Sequence, residues 1–152
     1  MTRIRYLSIA AAAALCAAAV AALAHEGHNH ATGMVKDRME AMTKMAERVK
    51  AITQRVRANK DLTAIAGDAH VLHELAGKIA SQFPAGSTQH PTAAKEAIWK
   101  TWPDFESKAK ALESASEKLM NTNPGDKKAI GAQFRAVSQA CSDCHEKYRT
   151  TK

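Results

Sequence analysis

Two cysteines and a histidine near the C-terminus carry the most specific chemistry in this chain: Cys141-Ser142-Asp143-Cys144-His145. On one helical turn, two thiols at this spacing can each add across a vinyl group of the same porphyrin. The next residue can then give its imidazole nitrogen to the iron. The pattern reads as an attachment site for one covalent haem c and its iron. Cys141 and Cys144 would form the thioethers, with His145 as proximal ligand. A Cys-x-x-Cys pair can also be a redox disulfide or half of a zinc site. Zinc would need two further ligands, and no second cysteine pair exists. A redox pair should open a helix in a βαβ unit, whereas this one closes a long helical run.

Haem of this type is attached outside the bacterial cytoplasm, and the N-terminus fits export. Thr2-Arg3-Ile4-Arg5 is a basic start, Tyr6 to Leu23 is an alanine-rich apolar run, and Ala22-Leu23-Ala24 is a small-x-small cleavage site. The expectation is a signal peptide over 1–24, cleaved after Ala24, and a periplasmic product. Cys16 follows bulky Leu15, which does not fit a lipidation box, so it is expected to leave with the leader. His25, His28 and His30 lie in a polar stretch with nothing apolar to pack. It reads as a flexible tail over 25–33 with adventitious affinity for copper, zinc or nickel. The net charge of +7 is spread without a polybasic block. That argues against nucleic-acid binding and fits steering toward an acidic protein partner.

These residues must be positioned by helices. Val35, Arg38, Met42, Met45, Val49, Ile52 and Val56 step by three and four, predicting a helix from Met34 to Arg57. Leu62, Ile65, Ala69, Leu72, Ala76, Ile79 and Phe83 predict a second from Asp61 to Gln82. His73 flanks that seam and His70 lies further off it; both read as surface or boundary histidines. Breakers follow, then a short helical turn within Thr92 to Lys100. A third helix starts near Thr101 with Pro103 in its first turn and carries Trp102, Phe105, Ala109, Leu112, Ser116 and Leu119. Asn123 is expected to cap the fourth helix, with Pro124 at its first position. That helix presents Ile130, Phe134, Val137, Cys141, Cys144 and Tyr148 on one stripe. The predicted fold is all-α, an antiparallel four-helix bundle over 34–152. Few aromatic residues are available to fill its core. Arg38 on a buried stripe needs an anionic partner, which haem propionates would supply, or else it reaches out to water.

A haem site at the end of a four-helix chain resembles the class II c-type cytochromes, the cytochrome c′ family. The likeness runs through Phe134-x-x-Val137-x-x-x-Cys141-x-x-Cys144-His145-x-x-Tyr148-Arg149, through Ile98-Trp99 with Phe105, and through Val35-x-x-Arg38-x-x-x-Met42. It implies that Arg38 and Arg149 approach the propionates and that Phe134, Val137 and Tyr148 pack on the haem. It further implies that position 42 faces the distal side of the iron. Gas-binding, high-spin members have a noncoordinating residue there, often leucine. Met42 instead resembles the low-spin cytochromes c-556, although a methionine on a bundle seam also serves as plain core.

Two functions follow from that one position. With Met42 as distal ligand, the protein is a soluble one-electron carrier between periplasmic or membrane redox proteins. With an open iron, it is a module that binds nitric oxide or carbon monoxide. No acid–base or nucleophilic constellation marks an enzyme, and the resemblance allows a monomer or a homodimer.

Overall fold

The computed structural model describes residues 31–150, so the expected leader and most of the histidine tail lie outside the described residues. Among the described residues there are five α-helices: α1 (Gly33–Ala58), α2 (Ile65–Ala76), the short α3 (Ala97–Lys100), α4 (Trp102–Met120) and α5 (Lys127–Tyr148). The four long ones form the bundle, and α3 lies in the connection between α2 and α4. None of the helices among the described residues is long and apolar enough to cross a membrane.

Helix α1 runs as its periodicity requires, burying Val35, Ala41, Met45 and Ile52 together with Arg38. It stops where Asn59 turns left-handed (φ 49°), letting Lys60 N–H reach the Arg55 carbonyl at 3.2 Å. Asparagine tolerates that backbone better than most residues. The second helix is shorter than its pattern predicts. Leu62–Ala64 and Ala80–Gln82 are 3₁₀ turns, and the α-helix between them ends at Ala76, just before Gly77. A Cβ at Gly77 would stand 3.1 Å from the Glu113 carboxylate, so glycine lets α2 approach α4 closely.

One boundary is corrected outright: the cap of the last helix is Asp126, not Asn123. Asp126 Oδ1 accepts from Ala129 N–H at 2.8 Å, three residues on, as an N-cap should. The Asn123 side chain is spent locally on Gly125 N–H at 2.9 Å, so Pro124 lies in the turn rather than in the helix.

The core lies between α2, α4 and α5, where Ile65, Leu72, Ile98, Phe105, Leu119 and Val137 are essentially sealed from solvent. Its few aromatic rings gather around Phe105. They include Phe83 at 5.0 Å, Tyr148 at 5.3 Å and Trp102 at 5.5 Å between centroids. Helix α1 packs on α2 but meets α5 only sparsely.

Candidate haem-attachment site

Because α5 is continuous through Tyr148, Cys141 and Cys144 lie one turn apart on it, and His145 follows directly. Both thiols are half-buried against the edge of the core and neither is in a disulfide. Burial pushes both thiol pKa values up from their ordinary value. A redox-active pair needs the opposite, a thiol poised to ionise. Zinc fares no better, since among the described residues no three His, Cys, Asp or Glu side chains converge on a point.

His145 lies on the outer side of the helix, lining a shallow depression of about 240 Å³ with Ser142, Glu146, Arg149 and Thr150. Partial desolvation, then the charge of Arg149, hold its pKa below the usual histidine value. The neutral imidazole, the form that can bind a metal, is therefore favoured at neutral pH. Arg149 is exposed and shares this depression, so its charge stands on the His145 side of the helix.

The site has an apolar flank that suits a porphyrin. Met42 on α1 and Phe134, Cys141 and Cys144 on α5 all border the core, and all remain only partly covered. They belong to two helices that meet only sparsely. Val137, one turn before Cys141, is fully buried. The residues present fit a covalently held haem. Of the other methionines nearby, Met45 is inside the core and Met39 is half-buried.

Arg38 does not reach out to water, which removes one of its two expected roles. It is 3% exposed. Its Nη1 donates to Ser87 Oγ at 3.0 Å, and its Nη2 donates to the Ser87 carbonyl at 2.7 Å and to Thr92 Oγ1 at 2.9 Å. The guanidinium also lies over the Phe83 ring, 4.8 Å from its centroid. Burial pulls its pKa down. A haem carboxylate would have to use the N–H groups that these bonds leave over.

Tyr148 is buried, and its hydroxyl donates to Asp104 Oδ2 at 2.6 Å while lying 2.7 Å from Thr101 Oγ1. Beyond it the chain pairs antiparallel with the interhelical connection. Lys95 N–H donates to the Tyr148 carbonyl at 2.9 Å, and Thr150 N–H donates to Ala93 O at 2.8 Å. The last turn of the attachment helix is thus pinned from two sides. His73 points its Nδ1 at the Glu113 carbonyl, 3.3 Å away, and His70 is exposed, so both are structural or surface histidines. Asp104, Ser87 and Thr92 escaped the sequence reading because they sit at a helix start or in a connection, where no periodicity marks burial.

The family model for Cytochrome C′ matches residues 33–149. A cytochrome c-556 from Agrobacterium tumefaciens strain B2A is 35% identical over 71 residues, 47% of this chain and 57% of that protein. The aligned segment thus spans little more than half of that relative. A cytochrome c-556 from Agrobacterium fabrum strain C58 is 29% identical over 140 residues, covering 91% of this chain and 89% of its own. Among solved structures, a nitric oxide complex of a single-residue variant of cytochrome c′ from Alcaligenes xylosoxidans superposes with a TM-score of 0.71. It is 29% identical, and the match covers 78% of this chain and 94% of that one.

Proposed function

This chain belongs to the cytochrome c′ family of haem c proteins, and we propose that within it the protein is a periplasmic one-electron carrier. In this reading His145 and Met42 would be the protein's two ligands to the iron. The observation that carries it is the placement of Met42. It is a partly covered thioether at the border of the core, as are Phe134, Cys141 and Cys144, and the resemblance to the family implies that its position faces the distal side of the iron. The relatives named cytochrome c-556 support the same branch.

When bound, the haem supplies an iron that cycles between ferric and ferrous states. The chain does the rest. Cys141 and Cys144 fix the group covalently to α5, and the lowered pKa of His145 keeps its nitrogen free of a proton. A thioether is a soft ligand that favours the reduced state and raises the potential. The sealed core behind Val137 keeps water from one side of the site. The basic excess suits encounter with acidic faces of periplasmic or membrane redox proteins, and the carrier would act as a monomer or homodimer after cleavage behind Ala24.

A gas-binding role is the second reading, favoured by the nitric oxide complex of the similar Alcaligenes protein. Absorption spectra of both oxidation states separate the two. Met42 ligation gives low-spin iron, a thioether-to-iron charge-transfer band and slow carbon monoxide binding. Met42→Ala should then become high-spin, bind carbon monoxide readily and lose potential. Met39→Leu and Met45→Leu should leave the spectrum unchanged. A wild-type protein already high-spin at neutral pH would reverse the order of the two readings.

A further inference from the structure

The two helices that carry the candidate iron ligands hardly touch. Yet the distance between Met42 on α1 and His145 on α5 decides whether both can reach one iron. A continuous set of hydrogen bonds joins their two turns through the connection between α2 and α3. It begins at Arg38, one turn before Met42, whose guanidinium holds Ser87 Oγ (3.0 Å), Ser87 O (2.7 Å) and Thr92 Oγ1 (2.9 Å). Inside the connection, Ser87 Oγ donates to Pro84 O at 2.8 Å, and Ala94 N–H donates to Thr92 Oγ1 at 3.1 Å. One residue further on, the chain is paired with the end of α5 through Lys95 N–H to Tyr148 O and Thr150 N–H to Ala93 O. Tyr148, three residues after His145, is held in turn by Asp104.

We propose that residues 84–95 are a strap setting the spacing between the helices that carry the iron ligands, with Arg38, Ser87 and Thr92 as its positioning residues. The inference rests on the reading that Met42 and His145 bind the iron. The physical reason is that a buried guanidinium tolerates few alternatives. Its donors must be satisfied, and here the partners are a serine and a threonine of the strap rather than another helix. Ser87 is itself buried, so water does not readily replace it. Arg38 therefore fixes the N-terminal half of α1 to a segment that is locked to the last turn of α5. Phe83, under the guanidinium and edge-on to Phe105, ties the same point to the core.

The test is a double-mutant cycle in the holoprotein, with Ser87→Ala/Thr92→Val as one arm and Arg38→Leu as the other. Two readouts serve: the high-spin fraction and the carbon monoxide association rate. Either arm should raise the high-spin fraction and speed carbon monoxide binding by about tenfold, the factor carried by one charged hydrogen bond. The combined variant should be no worse than Arg38→Leu alone, because the strap arm removes two of the three bonds that Arg38→Leu removes and leaves only the one to the Ser87 carbonyl. Thr92→Ser, which keeps the hydroxyl, should behave like wild type. If Arg38→Leu does not fold, Ser87→Ala/Thr92→Val against Thr92→Ser decides alone. The strap is overturned if Ser87→Ala/Thr92→Val leaves both readouts at the wild-type level, or if the two arms add. The first outcome with a responsive Arg38→Leu would place the arginine's action at a haem propionate. A high-spin wild type, or no spectral change in Met42→Ala, refutes the ligation reading instead. The strap's role in ligand spacing falls with it, whereas a low-spin wild type with unresponsive strap variants rejects the strap alone.

Discussion

Asp68 is the one buried carboxylate among the described residues, and it joins α2 to two arginines of α1 spaced two turns apart. The two pairs are unequal. Arg55 Nη1 lies 2.5 Å from Oδ2. Arg48 Nη1 lies 3.4 Å from Oδ1, at the limit of a useful bond, and the Arg48 Nε is buried without a partner. A hydrogen bond to a charged group contributes about 1.5–3 kcal/mol, and a buried donor left unpaired costs about 1–3 kcal/mol. The good bond of Arg55 therefore stands uncancelled, while the long bond of Arg48 is offset by its own orphaned nitrogen. Arg55→Met should destabilise the holoprotein by about 2 kcal/mol and Arg48→Met by about 0–0.5 kcal/mol. Removing the carboxylate in Asp68→Ala breaks both pairs. The arginine side chains are 37% and 29% exposed and can turn to water, so the loss should be about 2–3 kcal/mol, below that of a fully trapped charge. Urea denaturation followed by far-ultraviolet circular dichroism measures all three. Equal losses for Arg48→Met and Arg55→Met would refute the reasoning, because they would show that distance and the orphaned donor do not set the balance.

Haem should survive acid–acetone extraction of protein matured with attachment machinery, and Cys141→Ala with Cys144→Ala should release it; mass spectrometry reads both. The Asp104 carboxyl is held below its ordinary pKa of 3.8, first by the Tyr148 hydroxyl and then by Lys147. A folded-state pKa below the unfolded one contributes stability that is present above 3.8 and is lost as pH falls through the folded value. Tyr148→Phe removes the largest cause. Its lower urea midpoint at neutral pH should therefore converge toward wild type as the pH drops below 3.8, and a gap that widens on acidification would contradict this.

Much of the bundle was legible because burial in helices leaves a three-four rhythm. Val35, Met45 and Ile52 on α1, and Phe105, Ala109, Leu112, Ser116 and Leu119 on α4, are buried as that rhythm requires. What failed was punctuation. The α-helix α2 stops at Gly77, and the close approach of Glu113 that this glycine admits is visible only in three dimensions. Asn123 and Asp126 are both competent caps, and the choice depends on which side chain meets the N–H three residues on. Arg38 was legible as an arginine on a buried stripe in want of partners. Ser87 and Thr92, which provide them, lie in a connection whose composition announces turns and nothing more. The same holds for Asp68: a lone acid beside a seam gives no sign that two arginines of another helix will converge on it.

A single side chain can decide between carrying electrons and binding gas only if the fold does not depend on it. The fully buried side chains that hold this bundle together, Ile52, Ile65, Leu72, Ile98, Phe105, Leu119 and Val137, do not include Met42. Met45, one turn further along α1, is inside the core, and its truncation would disturb packing. Met42 instead borders the core with one flank uncovered, so truncating or exchanging it leaves little cavity. The position is thus free to be a thioether, which closes the iron, or a noncoordinating side chain, which leaves it open. The load of positioning α1 falls elsewhere, on Arg38 toward the strap and on Arg55 toward Asp68. Separating the residues that hold the helix from the residue proposed to meet the iron would let one bundle serve either chemistry.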